Sequence, residues 1–348
     1  MVVDHPYANL PPTAFWKSGV REARELTAGL YRPKVKIDAS TRIMTAGSCF
    51  AQHISRALRR ANLNLIETEY IRLPQLSEAL LNRFGYGLYS ARYGNIYTMR
   101  QLKQLIEEVG GDFYPKDIIW RASGRCYDAL RPNVEPSGYT LPAHVTEMRA
   151  HHLRAVRKAL AEVDILIFTL GLTEAWEHIP SGTVYPTAPG TIAGTYDPTI
   201  HRLRQFSAGE IAEDFLSVRN RIQSRRPDAR FILTVSPVPL TATGTGEHVL
   251  LATHAAKAKL RTTAAELCET FDDVDYFPSY EIVTHPRLGP AAFEANMRSP
   301  TAEVIARVVR CFLGAHGLPL GQAAPPVLDD SDPADGICEE ALLEAFVR

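Results

Sequence analysis

The chain has 348 residues, of which 45% are hydrophobic and 22% are charged, and this composition is typical of a soluble globular protein with a substantial core. The formal net charge is −1, from 38 basic and 39 acidic residues, so the basic excess that marks a nucleic-acid-binding protein is missing. The sequence also contains no apolar run near the ~20 residues of a membrane span. Its first residues do not combine a basic region with an apolar run, so we expect no signal peptide.

The five cysteines are widely scattered along the chain, at Cys49, Cys126, Cys268, Cys311 and Cys338. Their number is odd and no pair has the spacing of metal ligands, which favours reduced thiols over disulfides or a zinc site. We therefore expect a cytoplasmic protein with no metal and no cofactor. Neither nucleic acid nor a membrane is expected among its partners.

The N-terminal residues 1–40 are predicted to be a proline-rich, irregular arm packed on the core. One short helix is predicted around residues 13–30. Phe15 and Trp16 are expected to pack this arm onto the rest of the protein.

Residues 42–51 read as a short buried strand that breaks at Gly47 and runs directly into a helix with apolar residues at helical spacing. Ser48 and Cys49 therefore lie where the strand ends and the helix begins. At such a junction the backbone N–H groups and the positive end of the helix dipole favour an anion or a thiolate. A small nucleophile is often presented in this way, although a buried Cys can also serve only as a small hydrophobic residue.

The rest of the chain alternates short apolar strands with helices, separated by loops. Strands are predicted at residues 63–67, 163–170, 230–235 and 274–277. Helices are predicted at residues 76–84, 98–108, 144–161, 208–225, 247–271 and 301–313. Long loops are predicted at residues 112–142 and 173–200, and loops of this length are often functional.

This alternation predicts an α/β fold, a three-layer α/β/α sandwich with a mainly parallel central sheet. Ligands of such folds bind beyond the carboxyl ends of the strands. Residues 47–49, 171–174 and 236–237 each follow a strand end, so we expect them to gather at one edge of the sheet. The domain is predicted to span residues 41–315, and residues 316–348 are predicted to be a partly disordered tail.

Several stretches of the chain match one known family. Gly47-Ser48-Cys49-Phe50-Ala51 is the motif that names the GSCFA family, and the chain also resembles this family at residues 15–16, 89–98, 169–176, 234–240 and 276–282. GSCFA proteins are grouped with the SGNH (GDSL-like) hydrolases. The resemblance therefore implies a three-layer α/β/α fold and acyl-transfer chemistry, usually ester hydrolysis or O-acyl transfer, without defining a substrate.

The resemblance also suggests a nucleophile. The first block of SGNH enzymes is Gly-Asp-Ser, in which the Ser attacks the substrate. Gly47 matches that glycine, Ser48 takes the place of the Asp and Cys49 takes the place of the attacking Ser. Cys49 is therefore the predicted nucleophile and Ser48 the alternative. A thiolate exchanges readily with thioesters, so an acyl donor carried on CoA or a carrier protein would be chemically natural.

The second and third SGNH blocks supply donors to the oxyanion hole. Gly94-Asn95 resembles the second block, although Gly94 could equally serve only to make a turn. The third block, Gly-x-Asn, here ends in Thr173, whose hydroxyl would replace the amide donor. Glu174 follows and could orient a basic group or cap the loop.

The fourth SGNH block, Asp-x-x-His before the last helix, is absent, because residues 296–300 contain neither residue. Another imidazole would have to act as the base. His248 is the first candidate, since it begins a helix at the expected edge of the sheet, and His285 is the second. Glu281 could orient that base, and Arg298 could bind a carboxylate or phosphate of the substrate.

The sequence therefore predicts an acyltransferase, an esterase or a thioesterase that works through a covalent acyl-enzyme on Cys49. Its acyl acceptor would be a small molecule or a glycan. The missing Asp and His support an alternative, a catalytically inactive scaffold that binds a glycan or an acylated metabolite. A metal-dependent hydrolase is a distant third possibility, because no metal-ligand spacing is visible.

Overall fold

The structure is a computed structural model that describes residues 5–71, 75–319 and 341–346. Within these residues strands and helices alternate along most of the chain. In chain order they are β1 (Ile43–Gly47), α1 (Ala51–Arg60), α2 (Glu78–Arg83), α3 (Met99–Gly110), β2 (Ile119–Ala122), β3 (Arg125–Asp128), α4 (Pro142–Glu162), β4 (Ile165–Leu170), β5 (Glu174–His178), β6 (Thr183–Tyr185), β7 (His201–Gln205), α5 (Ala208–Gln223), β8 (Arg230–Val235), α6 (Val249–Thr270), β9 (Val274–Tyr276), α7 (Ser279–Val283) and α8 (Ala302–Ala315).

The central sheet has the strand order β1-β4-β8-β9, and all of its described pairs are parallel. In register, Ile43 lies opposite Ile165 and Ile165 lies opposite Arg230. Every residue of β1 and β4 is buried, as expected for strands that are covered on both faces. The continuous apolar runs that predicted these strands therefore reflect the two-sided burial.

Alternate strand residues face two separate hydrophobic clusters. Leu166 and Phe168 of β4 pack into a cluster with residues of α3, α4, α5 and α6. Ile165 and Ile167 pack into a second cluster with residues of α1, α7 and α8. Side chains along a strand alternate between the two faces of its sheet, so helices cover both faces. The predicted three-layer α/β/α sandwich is confirmed.

The N-terminal arm differs from the prediction. Residues 13–30 do not form one helix, and only a 3-10 turn (Pro12–Ala14) and a π-helical turn (Lys17–Arg21) are present. The chain folds back at Gly19, where an added Cβ would lie 2.8 Å from the Thr13 carbonyl oxygen. Phe15 and Trp16 are 40% and 69% exposed, so their expected packing onto the core is wrong.

The end of the arm attaches to the core through other residues. Tyr31, Val35 and Ile37 are buried in the cluster beneath α8. The Tyr31 hydroxyl donates a hydrogen bond to Asp275 at 3.0 Å. Burial and the Asp275 carboxylate raise the pKa of Tyr31 well above its usual range.

Three predicted connections also differ in detail. Residues 63–67 form no strand, and one parallel bridge joins Leu65 to Ile43 beside β1. The predicted loop 112–142 contains the β2–β3 hairpin. The predicted loop 173–200 contains β5 and β6, and β5 pairs with both β6 and β7 in a three-stranded antiparallel sheet. Of the predicted tail, residues 320–340 and 347–348 lie outside the described residues, and residues 341–346 form a 3-10 helix.

Two observations concern membrane spans and metal sites. Of the helices that the structure describes, none is long and apolar enough to cross a membrane. The described residues also contain no group of three or more His, Cys, Asp or Glu side chains placed to hold a metal ion.

Candidate active site

The carboxyl ends of the parallel strands are joined by hydrogen bonds at one edge of the sheet. The Ser48 N–H donates to the Thr169 carbonyl at 3.2 Å, and the Ser236 N–H donates to the Leu170 carbonyl at 2.8 Å. The Ser279 hydroxyl donates to the Val235 carbonyl at 3.0 Å. The predicted gathering of the strand ends is confirmed.

The turn between β1 and α1 depends on Gly47. Its φ is +139°, and an added Cβ would lie 2.6 Å from the Thr169 carbonyl oxygen, so only glycine fits. Hydrogen bonds from the N–H groups of residues 51, 52 and 53 then run back to the carbonyls of residues 48, 49 and 50. The N–H groups that precede this ladder are those that a helix start directs toward an external acceptor.

The two candidate nucleophiles on this turn differ in exposure. Ser48 is only 2% exposed, and its Oγ is buried without a hydrogen-bond partner among the described residues. An added Cβ on Gly171 would lie 2.9 Å from the Ser48 Cβ, so the side chain is closely covered. Cys49 is half-buried. Cys49 is therefore the more exposed of the two residues.

Cys49 packs against a small cluster that is separate from the two main hydrophobic clusters. The cluster consists of Tyr97, Leu172, Leu240 and Ala252, and it brings together four segments of the chain. Ala252 belongs to the first half of α6, which thus covers the turn. An apolar surround of this kind excludes water from one side of the sulfur.

Tyr89 and Asn95 lie beneath the turn. The Tyr89 Oη is 3.0 Å from the Ser48 carbonyl oxygen and 2.7 Å from Asn95 Oδ1. Gln52 of α1 donates to the same Oη at 3.3 Å. Gly94 has φ +68°, so the turn that precedes Asn95 requires a left-handed residue. This conformation supports the turn role of Gly94, while the expected oxyanion role stays a prediction.

The segment after β4 is tied to Tyr97 and to a buried lysine. The N–H groups of Gly171 and Leu172 both donate to the Tyr97 carbonyl, at 3.0 and 2.9 Å. The Lys257 Nζ donates to the Gly171 carbonyl at 2.8 Å, and Lys257 is 2% exposed. A lysine side chain is rarely buried so completely. Lys257 therefore places a polar amine directly beside the segment that covers Ser48.

Thr173 and Glu174 bind groups on other loops. The Thr173 hydroxyl, which is buried, donates to Gln205 Oε1 at 3.2 Å. Glu174 Oε2 accepts from Gln205 Nε2 at 2.8 Å and from the Thr243 hydroxyl at 2.9 Å. Burial raises the pKa of Glu174. Of its two predicted roles, these contacts support fixing the loop.

His248 lies at the rim of the site. It is the N-cap of α6, and its Nδ1 accepts a hydrogen bond from the Leu250 N–H at 3.2 Å. The next residue, Val249, packs against the cluster that also contacts Cys49. Because Nδ1 accepts, the neutral ring carries its proton on Nε2. In that tautomer Nε2 is a donor. His248 can therefore act as a base only if its Nδ1 gives up the hydrogen bond from the Leu250 N–H.

His285 is buried on the side of the N-terminal arm. Its Nδ1 accepts from the Arg287 N–H at 3.2 Å. Burial, together with Arg287 and Arg307, lowers its pKa. Arg287 donates to the Ala23 carbonyl, and Arg307 pairs with Glu25 at 3.6 Å. The charged surroundings of His285 therefore belong to the contact with the arm.

Glu281 and Arg298 are held by partners other than these imidazoles. Glu281 accepts from Arg261 Nε at 2.6 Å and from the Tyr276 hydroxyl at 2.8 Å. The Arg298 N–H donates to Asn296 Oδ1 at 2.9 Å, and its guanidinium reaches the Pro239 carbonyl at 3.4 Å. In the described part of the chain, no hydrogen bond joins Glu281 to His248 or His285.

Two further residues near the turn were not identified from the sequence. His53 lies in the first turn of α1, four residues after Cys49, which itself precedes the helix. Its ring packs edge-on to Phe50 at 5.4 Å, and burial and Arg56 lower its pKa to about 3. Lys257 is the second residue. It lies three residues before Leu260 on the buried face of α6, and this helical spacing is the sequence signal that indicates its burial.

Comparison with known proteins places most of the chain in one family. The GSCFA family model matches residues 42–312. No curated protein matches the sequence. This match covers the whole of the sheet and the strand-end site.

Solved structures offer weaker likenesses. A protein from Parabacteroides merdae described as a GDSL-like lipase is 15% identical, with 82% of this chain and 100% of that chain covered and a TM-score of 0.37. A carbohydrate esterase family 3 protein from Talaromyces cellulolyticus is 8% identical, covering 78% and 94% with a TM-score of 0.36. A catalytic mutant of Axe2, an acetylxylan esterase from Geobacillus stearothermophilus, is 12% identical, covering 83% and 100% with a TM-score of 0.30. These TM-scores lie below 0.5, so the likenesses are too weak to assign an activity.

Proposed function

The chain belongs to the GSCFA family, and we propose that it catalyses acyl transfer through a covalent acyl-enzyme on Cys49. One observation carries this proposal. A half-buried thiol stands on a glycine-dependent junction between a strand and a helix, whereas the neighbouring Ser48 hydroxyl is closed off. The N–H groups and the positive dipole end at a helix N-terminus would favour a thiolate at this position.

The proposed reaction has two steps. The Cys49 thiolate attacks the carbonyl carbon of a thioester or ester donor, the bond to the leaving thiol or alcohol breaks, and the leaving group takes up a proton. A hydroxyl acceptor or water then attacks the new thioester, loses its proton to a base and releases the Cys49 thiolate. Each step passes through an oxyanion, which hydrogen-bond donors fixed in advance would stabilise.

We assign the oxyanion donors to the backbone N–H groups at the start of α1. Asn95 is buried, its Oδ1 lies 2.7 Å from the Tyr89 Oη, and it supports the turn beneath them. Thr173 is less suited, because its hydroxyl already donates to Gln205. The Gly94 N–H is the further candidate on the same turn.

The second step needs a base, and three imidazoles are candidates. Among them, His248 is at the rim and His285 faces the arm, and the Nδ1 of each accepts a backbone N–H. His53 follows Cys49 by four residues, but burial and Arg56 lower its pKa to about 3, which makes the ring a weak base near pH 7. We rank His248 first and His53 second.

A second candidate function is a catalytically inactive scaffold. The observation that favours it is the engagement of Glu281 by Arg261 and Tyr276, together with the backbone N–H bonds that the Nδ1 atoms of His248 and His285 accept. These contacts leave the site without the carboxylate–imidazole pair that orients a base in acyl-transfer enzymes. Such a scaffold would bind a glycan or an acylated metabolite and release it unchanged.

The proposed partners follow from the thiol chemistry. A thiolate exchanges with thioesters, so the donor would be acyl-CoA or an acylated carrier protein, and the acceptor would be a small molecule or a glycan. The chemistry requires a reduced Cys49, and no disulfide joins any of the four cysteines that the structure describes. We therefore propose a reducing compartment, the cytoplasm.

Mass spectrometry of the intact protein tests the proposal. Wild type is incubated with the acetyl and hexanoyl thioesters of N-acetylcysteamine, and we expect the gain of one acyl group. Cys49→Ala should lose this gain and Ser48→Ala should keep it. Cys268→Ala is the matched control, since burial raises the pKa of that half-buried thiol to about 11 and leaves little thiolate.

Other patterns of acylation would point to Ser48 or to an inactive scaffold. Acylation that survives in Cys49→Ala and disappears in Ser48→Ala would assign the nucleophile to Ser48. Unaltered mass in wild type with every donor, combined with binding of the intact donor, would favour the scaffold. The variants His53→Ala and His248→Ala should acylate normally but differ in the rate at which the acyl group is released.

A further inference from the structure

A cavity of about 330 Å³ lies beside the proposed active site. Its walls come from the antiparallel sheet β5–β7, from residues 186–191 and from residues 242–244. Leu172 lines this cavity and also belongs to the cluster against which Cys49 packs. One side chain therefore links the cavity to the surroundings of the sulfur.

The inner surface of the cavity is largely apolar. Trp176, Leu203 and Leu172 form its inner walls, and Leu343 and Phe346 of the C-terminal 3-10 helix line it as well. Glu174 is the single titratable residue among the described residues that line it. Among the described residues, the lining includes no Lys or Arg, so these residues offer a phosphate or carboxylate no cationic partner.

The polar groups of the wall satisfy one another. The Thr187 and Thr191 hydroxyls lie 2.9 Å apart, and the Thr191 hydroxyl donates to the Ala188 carbonyl at 2.7 Å. Glu174 is occupied by Thr243 and by Gln205. A sugar would need donors and acceptors that are still available, whereas this wall suits a ligand with few polar groups.

We propose that this cavity receives the acyl group of the donor, and that this group is uncharged and apolar, either aliphatic or aromatic. The proposal rests on the proposed function, because it identifies the substrate that Cys49 would accept. The volume corresponds to about ten groups of the size of a water molecule, each ~30 Å³. A medium-length acyl chain therefore fits in the cavity.

Two opposite changes in cavity size test this assignment. Ala188→Phe places a ring in the cavity from a half-buried position, and Leu203→Ala enlarges the cavity by removing part of its wall. Leu216→Ala is the matched control, since Leu216 is half-buried on α5 and does not line the cavity.

The first readout is independent of catalysis. 1-Octanol is titrated into the protein while the indole N–H resonances of its three tryptophans are followed by NMR. We expect the Trp176 resonance to shift, while Trp16, which is exposed, and Trp120, which is buried elsewhere, stay in place. Ala188→Phe should weaken octanol binding at least tenfold, and Leu216→Ala should bind it like wild type.

The second readout is the rate of acylation by a series of acyl thioesters from acetyl to palmitoyl. Ala188→Phe should slow hexanoyl and octanoyl transfer about tenfold relative to acetyl, and Leu203→Ala should move the preferred length toward longer chains. Octanol binding that is absent or equal in wild type and Ala188→Phe would overturn the acyl-cavity assignment. If octanol binding is lost in Ala188→Phe while wild type takes up no acyl group, the apolar site stands and the acyl-transfer proposal fails.

Discussion

The backbone at Gly47 determines how the sulfur of Cys49 is presented. With φ at +139°, the chain leaves the sheet abruptly, and Ser48 turns under Gly171 while Cys49 turns toward the small cluster. A residue with a Cβ would both strain the backbone and meet the Thr169 carbonyl at 2.6 Å. The presentation of the thiol is therefore set by a residue with no functional group of its own.

We predict that Gly47→Ala lowers the free energy of unfolding by at least about 3 kcal/mol, because strain at this φ and a backbone clash act together. Gly209→Ala is the control, since Gly209 lies in α5 with nothing within 4 Å of an added Cβ. This control should be neutral or stabilising by up to about 1 kcal/mol. Urea denaturation of both variants checks the difference, and equal stability would show that the turn tolerates a side chain.

At the scale of single residues, the sequence predicted where the candidate site residues lie in the fold better than it predicted their hydrogen-bond partners. The junction that carries Ser48 and Cys49 follows from a buried strand, a glycine and a helical pattern that are all local. The partners of Glu281 are not local, because Arg261 belongs to α6 and occupies the carboxylate that was expected to orient a base. The Nδ1 cap of His248 also depends on the exact start of α6, which a pattern fixes only within a few residues.

At the scale of elements, continuous apolar strands were predicted and short polar ones were not. The strands β4 and β8 are apolar runs buried on both faces, so their sequences are distinctive. In β5 the buried positions include Glu177, which pairs with Arg202 directly opposite on β7 at 2.6 Å. A buried carboxylate removes the alternation of apolar and polar residues that would have marked the strand.

The sequence analysis also did not predict a buried network of charged side chains. Arg131 Nε donates to Asp128 at 2.8 Å, and its Nη1 donates to the Arg92 carbonyl at 2.9 Å. The Arg92 N–H donates to Glu69 at 2.9 Å, and Glu69 also accepts from His152 at 2.7 Å. The network thereby anchors the segment that continues into Asn95 at the candidate site.

We predict that Arg131→Met destabilises the protein by about 3–5 kcal/mol, because it removes one partner of a buried ion pair and leaves the Asp128 charge undercompensated. Arg131 is 2% exposed, whereas Arg121 of β2 is exposed, so Arg121→Met is the control and should change stability by less than about 1 kcal/mol. Chemical denaturation of the two variants checks this. A loss below 1 kcal/mol in Arg131→Met would show that water replaces the guanidinium.

At the scale of the whole molecule, the folded state keeps several imidazoles neutral. Burial lowers the pKa of His152 to about 4, and it also lowers the pKa of His316 to about 4 and that of His53 to about 3. An unfolded chain would protonate the same rings near pH 6.5. Their contribution to stability is therefore fully present above pH 6.5 and is lost as the pH falls toward the folded-state pKa values.

We predict that the free energy of unfolding falls between pH 6.5 and pH 5, and that His152 accounts for about 1.4 kcal/mol per pH unit of this slope in the lower part of the range. His152→Gln keeps a donor to Glu69 but cannot titrate, so its slope should be smaller by that amount. Urea denaturation at pH 7, 6 and 5 measures both slopes. Equal slopes in the two proteins would show that His152 is protonated in the folded state.

The C-terminal 3-10 helix joins the end of the chain to the proposed acyl cavity. Leu343 of this helix lines the cavity together with Leu172 and Trp176, which belong to the middle of the sequence. Its neighbour Leu342 is 40% exposed and does not line the cavity. The site is therefore completed by a segment that lies outside the region matched by the GSCFA family model.

We predict that Leu343→Ala weakens 1-octanol binding about five- to tenfold, since it removes apolar wall area worth roughly 1–1.4 kcal/mol at ~25 cal/mol per Å². Leu342→Ala makes the same change one residue earlier and should leave the affinity unchanged. The Trp176 indole resonance reports both titrations. Equal weakening by the two variants would indicate that the helix acts through its overall stability, whereas a loss confined to Leu343→Ala would show that this side chain forms part of the wall.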